Sequence, residues 1–261
     1  MTSAVETPLS ELATASATPD GAIAPATSDN ATAAPKDASA TSERAAVTPF
    51  NVTTAVVLLA AAGVFAYIAR RVTTKESQPF DQGVRDAVQA RRIPAVDVAT
   101  KPVTLLSMPI LVVSATAALV LWLRHEGRGD AALSVALTPL VAASLGQSFT
   151  TLLEQRNPPD AGDAPNGEVK EPSFPSGHTT GVTAEALGIA WILSREKLAS
   201  PGVVAGLVAW PLLVGVTRVY RDRHWISDVF GGWVAGTGVA ALAALIYEFR
   251  RKPVPTPEPV A

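Results

Sequence analysis

Residues 226–247 read ISDVFGGWVAGTGVAALAALIY, and Asp228 is the single charged residue in this stretch. About 20 mostly apolar residues are enough for a helix to cross the hydrocarbon core of a bilayer. Gly232 and Gly236 lie four residues apart, a spacing that lets two membrane helices approach closely. The stretch therefore predicts a membrane-spanning helix that packs tightly against a neighbour.

Five more apolar stretches precede this one. The 261-residue chain is 48% hydrophobic and 17% charged, whereas a soluble domain is typically about 25% charged. We therefore predict an all-α fold, a bundle of six transmembrane helices in a domain that covers residues 49–250. The other five stretches are residues 50–69, 103–123, 131–153, 179–194 and 203–217.

The two ends of the chain differ from this domain in composition. Residues 1–48 are rich in Ala, Thr, Ser and Pro without an aromatic residue, and residues 251–261 are rich in Pro. Such segments bury too little apolar surface to offset chain entropy, so both are predicted to be disordered. A formal net charge of −2 implies no nucleic-acid partner. The absence of cysteine excludes disulfides and cysteine metal sites.

Between the first two apolar stretches lies a basic segment. Phe80, Val84 and Val88 recur there at helical spacing, with arginines between and after them. This pattern suits a helix that lies in the headgroup layer, and an ordinary polar loop is the alternative. The arginines are Arg85, Arg91 and Arg92.

Six crossings would place both termini on one side of the membrane and the third and fifth loops on the other. The overall counts of Lys and Arg on the two sides give no clear orientation under the positive-inside rule. Arg250, Arg251 and Lys252 directly follow the last stretch and favour a cytoplasmic C-terminus. We expect a multi-pass membrane protein with cytoplasmic termini.

The fifth loop carries His224 and Asp228, four residues apart and thus on one face at the start of a helix. An Asp bonded to one ring nitrogen of a His makes the other nitrogen a better nucleophile or base. Arg218, Arg221 and Arg223 crowd the same segment, and guanidinium binds phosphate through a bidentate fork. A basic membrane-edge loop with a helix-capping Asp is the alternative interpretation.

The third loop ends in Pro175-Ser176-Gly177-His178, directly before an apolar stretch. This reads as a helix start, where free N–H groups and the helix dipole form an anion site that Gly177 lets a ligand approach. Ser176 adds a hydroxyl donor, and His178 can protonate a leaving oxygen. A plain helix cap with an interfacial histidine is the alternative.

Together the two blocks resemble the motifs of the type 2 phosphatidic acid phosphatase superfamily. The second family motif, Pro-Ser-Gly-His, is matched in full by residues 175–178. The third is Ser-Arg, five residues, His, three residues, Asp. Thr217, Arg218, His224 and Asp228 fit this spacing, with Thr in place of Ser. The resemblance extends over residues 50–250.

The first family motif, Lys, six residues, Arg-Pro, is matched only in part. When Arg156 is aligned with the motif Arg, Phe149 falls at the Lys position and Asn157 at the Pro position. We predict Arg156 as a phosphate ligand, although the motif Lys is missing. The candidates to supply the lost charge are Lys170, Arg221 and Arg223.

The resemblance implies a phosphatase that acts on a lipid phosphate in the bilayer and needs neither a metal nor another cofactor. Phosphatidic acid, phosphatidylglycerol phosphate and polyprenyl diphosphate are candidate substrates, and the family's active site is extracytoplasmic. His224 would attack phosphorus and form a phosphohistidine, Asp228 would orient it, and His178 would protonate the departing oxygen. The groups implied to hold the phosphoryl oxygens are Arg156, Arg218, Ser176 and the Gly177 N–H.

Two other functions fit the same residues. One is a phosphotransferase that passes the phosphoryl group to a lipid or a sugar, and the other is a catalytically weakened lipid-phosphate-binding protein. The sequence does not indicate an oligomeric state. Glu185 lies seven residues after His178 on nearly the same helix face. We expect it to line a lipid groove, to pair with a motif arginine, or to be a structural, hydrogen-bonded carboxyl group.

Overall fold

The computed structural model describes residues 49–153, 155–161, 169 and 171–251. Apart from Arg251, the two segments predicted to be disordered lie outside these residues. The described residues form eight α-helices and one short 3-10 turn, with no β-strand among them, so the prediction of an all-α fold is confirmed. The helices are α1 (Pro49–Thr73), α2 (Gln78–Gln89), α3 (Pro94–Leu106), α4 (Pro109–His125), α5 (Gly129–Leu152), α6 (Gly177–Arg195), α7 (Pro201–Tyr220) and α8 (Ile226–Arg250).

Several of these helices can cross a membrane. By length and composition, α1, α5, α7 and α8 each suffice alone. Helices α3 and α4 meet the same test when they are taken together, as one bent span. The chain is therefore an integral membrane protein, and its described residues contain four such helices, or five spans with the bent pair.

The predicted apolar stretch of residues 103–123 is divided between two helices. Helix α3 ends at Leu106, α4 begins at Pro109, and the two helices meet at an angle of 47°. A proline restricts the residue before it to extended backbone, and Met108 has a ψ of 138°. The break thus follows from Pro109 standing at the start of a helix, where its missing N–H costs nothing.

Helix α6 lies at the centre of the bundle and packs against α4, α5, α7 and α8. Its 19 residues correspond to a length of about 28 Å at 1.5 Å per residue. Because other helices surround it, α6 buries polar residues such as Thr180, Thr183 and Glu185. This explains why α6 falls outside the group of helices that are apolar enough to span a membrane alone.

The predicted close approach at Gly232 and Gly236 is confirmed and involves α6. A Cβ added to Gly232 would lie 2.8 Å from the Cβ of Thr179 and 3.0 Å from the carbonyl oxygen of Ser176. Only residues without a side chain allow the two backbones to pack at this distance. The contact brings the second turn of α8 beside the first turn of α6.

The basic segment between the first two apolar stretches is helical, as predicted. Helix α2 packs against α7 and α8. Phe80 is 58% exposed, whereas the side chain of the next residue, Asp81, is fully buried. Helix α2 thus covers the end of the bundle that carries the two motif blocks and presents an apolar ring to its surroundings.

Candidate active site

The two motif blocks are joined through their backbones. The Ser176 N–H donates to the carbonyl oxygen of Asp228 at 3.0 Å, and the Asp160 N–H donates to that of Asp222 at 3.2 Å. The third and fifth loops therefore meet at one end of the bundle, as their positions in the sequence predict.

The start of α6 has the geometry of an anion site. The Ser176 hydroxyl oxygen caps the helix by accepting from the Thr179 N–H at 3.4 Å and from the Thr179 hydroxyl at 3.0 Å. Among the described residues, the N–H groups of Gly177 and His178 donate no backbone hydrogen bond. A Cβ added to Gly177 would meet no atom within 4 Å. The helix thus directs free N–H groups and its positive dipole end toward open space.

His224 and Asp228 face each other at the start of α8. The His224 Nδ1 lies 3.6 Å from the Asp228 Oδ2, slightly longer than a hydrogen bond, and has no other partner among the described residues. A shift of roughly 0.4 Å would bring the pair within hydrogen-bonding distance. Because Nδ1 faces the carboxylate, Nε2 is the nitrogen available for chemistry.

The Asp228 carboxylate is fully buried and held from several sides. Its Oδ2 accepts from the Trp225 N–H at 3.0 Å, which caps α8, and its Oδ1 accepts from the Arg156 Nη2 at 2.7 Å. A carboxylate fixed in this way presents one defined edge to His224.

Arg156 lies beside this pair, but its terminal nitrogens are engaged by protein groups. Nη1 donates to Asp81 Oδ2 at 2.8 Å, and Nη2 donates to Ser227 Oγ at 2.6 Å as well as to Asp228. Burial acts to lower the pKa of Arg156, but the carboxylates of Asp228 and Asp81 outweigh it and raise that pKa. These contacts favour a supporting role over the direct phosphate contact that the motif position implies.

Arg218, unlike Arg156, lacks protein partners for its guanidinium among the described residues. It is buried to 92%, its Nε has no partner, and its guanidinium forms no ion pair or hydrogen bond within the described part of the chain. A buried and unpaired cation is unfavourable unless an anion compensates it. The position of Arg218 therefore marks a place for a negatively charged ligand.

His178 lies in the electrostatic field of Arg218, His224 and Arg223. Its ring makes no hydrogen bond among the described residues. One site thus contains both histidines, the unpaired guanidinium of Arg218 and the N-terminus of α6. This arrangement suits a tetrahedral oxyanion that is held by donors and flanked by a nucleophile and an acid.

The three residues proposed to replace the missing lysine are directed elsewhere or lie outside the described part. Arg221 donates to the Thr100 hydroxyl in α3 at 3.3 Å, and Arg223 pairs with Asp160 on the surface. Lys170 is outside the described residues. At the lysine position itself, Phe149 packs against Phe65 with ring centroids 4.4 Å apart. An aromatic contact thus fills the position where the family motif has a charge.

A cavity of about 300 Å³ extends from His178 into the bundle between α4, α5 and α6. Its wall is largely apolar, and Glu185 lies along it. The Thr116 hydroxyl donates to Glu185 Oε2 at 3.2 Å, whereas Oε1 is buried and has no partner in the described part of the chain. Two of the roles considered for Glu185 fit these contacts: a residue that lines a groove and a hydrogen-bonded structural carboxyl group. The bend between α3 and α4 contributes Ser107 and Pro109 to the same wall.

Four further residues support the site and were not predicted from the sequence: Asp81, Ser227, Arg85 and Asp222. The Arg85 guanidinium donates to both carboxylate oxygens of Asp222, at 2.8 and 2.7 Å, and so holds the turn before His224. Their partners are 71 to 146 residues away in sequence. No local spacing signals such contacts.

Residues 147–252 match the family model of the PAP2 superfamily, which confirms the resemblance inferred from the motif blocks. A lipid A 1-phosphatase of Rhizobium etli is 33% identical over 82 residues, 31% of this chain and 32% of that protein. The phosphatidylglycerophosphatase B of Bacillus subtilis is 35% identical over 72 residues, 24% of this chain and 34% of that protein. The matched segments thus span about a third of these curated relatives.

The fold also matches a solved structure. The crystal structure of a transmembrane PAP2-type phosphatidylglycerolphosphate phosphatase from Bacillus subtilis aligns with a TM-score of 0.61 at 22% identity. The alignment covers 71% of this chain and 93% of that structure. The helix arrangement is therefore shared well beyond the motif blocks.

Proposed function

We propose that the protein is a membrane phosphatase of the PAP2 superfamily, whose family model residues 147–252 match, and that it releases phosphate from a lipid. The observation that carries the proposal is the buried, unpaired guanidinium of Arg218 beside His178, His224 and the free N-terminus of α6. Phosphate is the anion that suits such a set of donors.

The phosphoryl oxygens are held by Arg218 and by the N–H groups of Gly177 and His178. Ser176 already accepts two hydrogen bonds as a helix cap, and its own hydroxyl donates none within the described residues, so its hydrogen can point to a phosphoryl oxygen. Arg156 adds positive charge from behind Asp228. These groups supply the charge stabilisation for which other phosphoryl-transfer enzymes use a metal ion.

The reaction proceeds in two displacements. The His224 Nε2 attacks phosphorus and forms the N–P bond while the P–O bond to the lipid breaks, and His178 gives its proton to the departing oxygen. Asp228 stabilises the positive charge that develops on the His224 ring. A water molecule, deprotonated by His178, then attacks the phosphohistidine, releases inorganic phosphate and restores both histidines.

The membrane arrangement supports a lipid substrate. We propose six crossings, formed by α1, the bent pair of α3 and α4, and α5 to α8, with α2 lying in the headgroup layer. The basic residues after α8 favour a cytoplasmic C-terminus, which puts the active site on the extracytoplasmic face.

The cavity between α4, α5 and α6 is the proposed binding site for the apolar part of the substrate. It reaches from His178 to Glu185, a distance of about 10 Å along α6. A lipid whose phosphate contacts Arg218 would place its first carbons in this cavity. The names of the relatives, lipid A 1-phosphatase and phosphatidylglycerophosphatase, support lipid phosphates as the substrate class.

The proposal is tested by phosphate release from a panel of lipids with the full-length protein in mixed micelles. The panel contains phosphatidic acid, phosphatidylglycerol phosphate, lipid A and undecaprenyl diphosphate. Release from at least one of them is expected for the wild type, and none for His224→Ala. Equal release by the two proteins, or transfer to an added lipid or sugar in place of free phosphate, would contradict a phosphohistidine phosphatase.

A further inference from the structure

Asp81 is a buried carboxylate in the first turn of α2, and α2 lies outside both motif blocks. Its Oδ1 accepts from the Ser227 N–H at 3.0 Å, and its Oδ2 accepts from the Ser227 hydroxyl at 2.9 Å and from the Arg156 Nη1 at 2.8 Å. The side chain is fully buried. Every one of these contacts is made to a residue that adjoins Asp228 in sequence or bonds to it.

Asp81 completes a chain of buried charges. Arg156 bridges two carboxylates, with Nη1 on Asp81 and Nη2 on Asp228. Its guanidinium also lies over the ring of Trp225, 5.4 Å from the centroid. A guanidinium held on two edges and one face has little freedom to turn.

Asp81 also caps α8 from another helix. The Ser227 N–H belongs to the first turn of α8, where backbone donors have no partner within the helix. The Asp228 carboxylate accepts from the Trp225 N–H, and the Asp81 carboxylate accepts from a second donor at this helix start, the Ser227 N–H. Two negative groups at one helix N-terminus are also favoured by the helix dipole.

We propose that Asp81 is a positioning residue for the phosphate site. It fixes Arg156 and the first turn of α8, and through both it sets the orientation of Asp228 against His224. The inference rests on the proposed function, since Asp81 acts on the residue that orients the nucleophile. It also gives Arg156 a role that does not require contact with substrate.

The loss of Asp81 has a definite electrostatic consequence. With Asp81 in place, the charge of Arg156 is shared between two carboxylates. Without it, Arg156 is left paired with Asp228 alone, and a buried guanidinium that lacks one partner will move to recover it. Asp228 then moves with Arg156, and the His224–Asp228 distance is no longer fixed.

The test compares Asp81→Asn with Asp86→Asn, in the full-length protein and on phosphatidic acid micelles. Asp86 is an exposed residue of the same helix, and within the described residues its side chain accepts one hydrogen bond, from Gln82. Asp81→Asn is expected to lower kcat about 10- to 100-fold, the size seen when an outer hydrogen-bond partner of a metal-bound histidine is removed. KM should stay within about twofold, because the phosphate donors are unchanged. Wild-type kcat in Asp81→Asn would overturn the proposal.

A double variant separates positioning from general damage to the fold. If Asp81 acts through Arg156, adding Asp81→Asn to Arg156→Gln should lower kcat no further. A full multiplicative loss in the double variant would contradict the proposal. If Asp81→Asn does not fold, Arg156→Lys serves in its place, because an ammonium group cannot bridge both carboxylates through a planar fork. A fall in kcat is then expected, and a rise in KM alone would identify Arg156 as a phosphate ligand and overturn the proposal.

Hydrogen exchange provides a measurement that does not depend on activity. Peptides that cover residues 224–230 should exchange faster in Asp81→Asn than in Asp86→Asn, because the first turn of α8 loses a cap. Equal exchange in the two variants would overturn the proposal. If the wild-type protein released no phosphate from any lipid, the proposed function would fail, and exchange would still decide whether Asp81 holds α8.

Discussion

Gly236 in α8 lies so close to Thr183 in α6 that a Cβ added to the glycine would stand 2.5 Å from the threonine Cβ. The same atom would lie 2.6 Å from the carbonyl oxygen of Thr180. Because one neighbour is backbone, no rotamer change can relieve the overlap. The distance between the two helices that begin at the phosphate site is therefore set one turn beyond Gly232.

Gly236→Ala is accordingly expected to destabilise the protein by about 1–3 kcal/mol, the cost of overpacking a close contact. Gly238→Ala is the matched control, since its Cβ would meet Ala61 at an ordinary 3.5 Å. Thermal unfolding in detergent should show a lower midpoint for the first variant and not for the second. Equal midpoints would mean that α6 and α8 can separate at little cost.

Arg218→Lys is expected to reduce kcat/KM for a lipid phosphate roughly 10- to 100-fold, because one charge-assisted hydrogen bond is worth about 1.5–3 kcal/mol. Arg218→Gln should reduce it further. Arg124→Gln, at the exposed end of α4, controls for the loss of a positive charge and should be neutral. Steady-state phosphate release measures all three, and a wild-type value for Arg218→Gln would place the phosphate elsewhere.

His178→Gln is expected to slow lipid hydrolysis about 10²- to 10⁴-fold, the usual contribution of a general acid. The loss should be smaller for p-nitrophenyl phosphate, whose leaving group departs without protonation. His125→Gln replaces the exposed histidine at the end of α4 and should leave both rates unchanged. An equal loss on the two substrates would show that His178 does not protonate the leaving group.

Glu185→Leu is expected to change substrate preference and to spare the chemistry itself. When Glu185 is protonated, its unpartnered Oε1 can donate to an ester oxygen of the lipid near the phosphate. Loss of that bond should lower kcat/KM for phosphatidic acid about 2- to 10-fold relative to undecaprenyl diphosphate, which has only hydrocarbon there. Glu185→Gln keeps a polar group and should show a smaller change. If kcat/KM instead changed by the same factor for every lipid in the panel, Glu185 would have a structural role and no role in substrate preference.

Metal chelation is expected to leave activity unchanged. The proposed mechanism assigns charge stabilisation to Arg218 and to the N-terminus of α6, so phosphate release should be the same with and without EDTA. Dialysis against EDTA and re-addition of Mg²⁺ checks the result in both directions. Activity that disappears and returns with the metal would require a different mechanism.

The sequence predicted those features in which partners lie close together along the chain. His224 and Asp228 are one helical turn apart, and the Ser176-Gly177 pair marks a helix start, so local geometry is enough to place them. Gly232 and Gly236 predicted a close helix contact for the same reason, although the sequence did not identify α6 as the partner.

Features that depend on partners far apart in sequence were not predicted. Asp81 meets Ser227 across 146 residues, and nothing in its own helix distinguishes it from Asp86. The break before Pro109 was missed because proline alone does not decide such a break. Pro139 and Pro211 stand inside continuous helices, α5 and α7. The outcome is decided by the neighbours that pack around each proline.

The backbone hydrogen bond from Ser176 to Asp228 makes the phosphate site and the α6–α8 core a single cooperative unit. Neither motif block can move without stretching that bond or separating the glycine contacts behind it. The entropy of ordering the site is thus lost when the chain folds, and little remains to be lost when a substrate arrives. On heating, hydrolytic activity and helix packing should therefore disappear over the same narrow interval, with no temperature at which the bundle is intact and the site already dispersed.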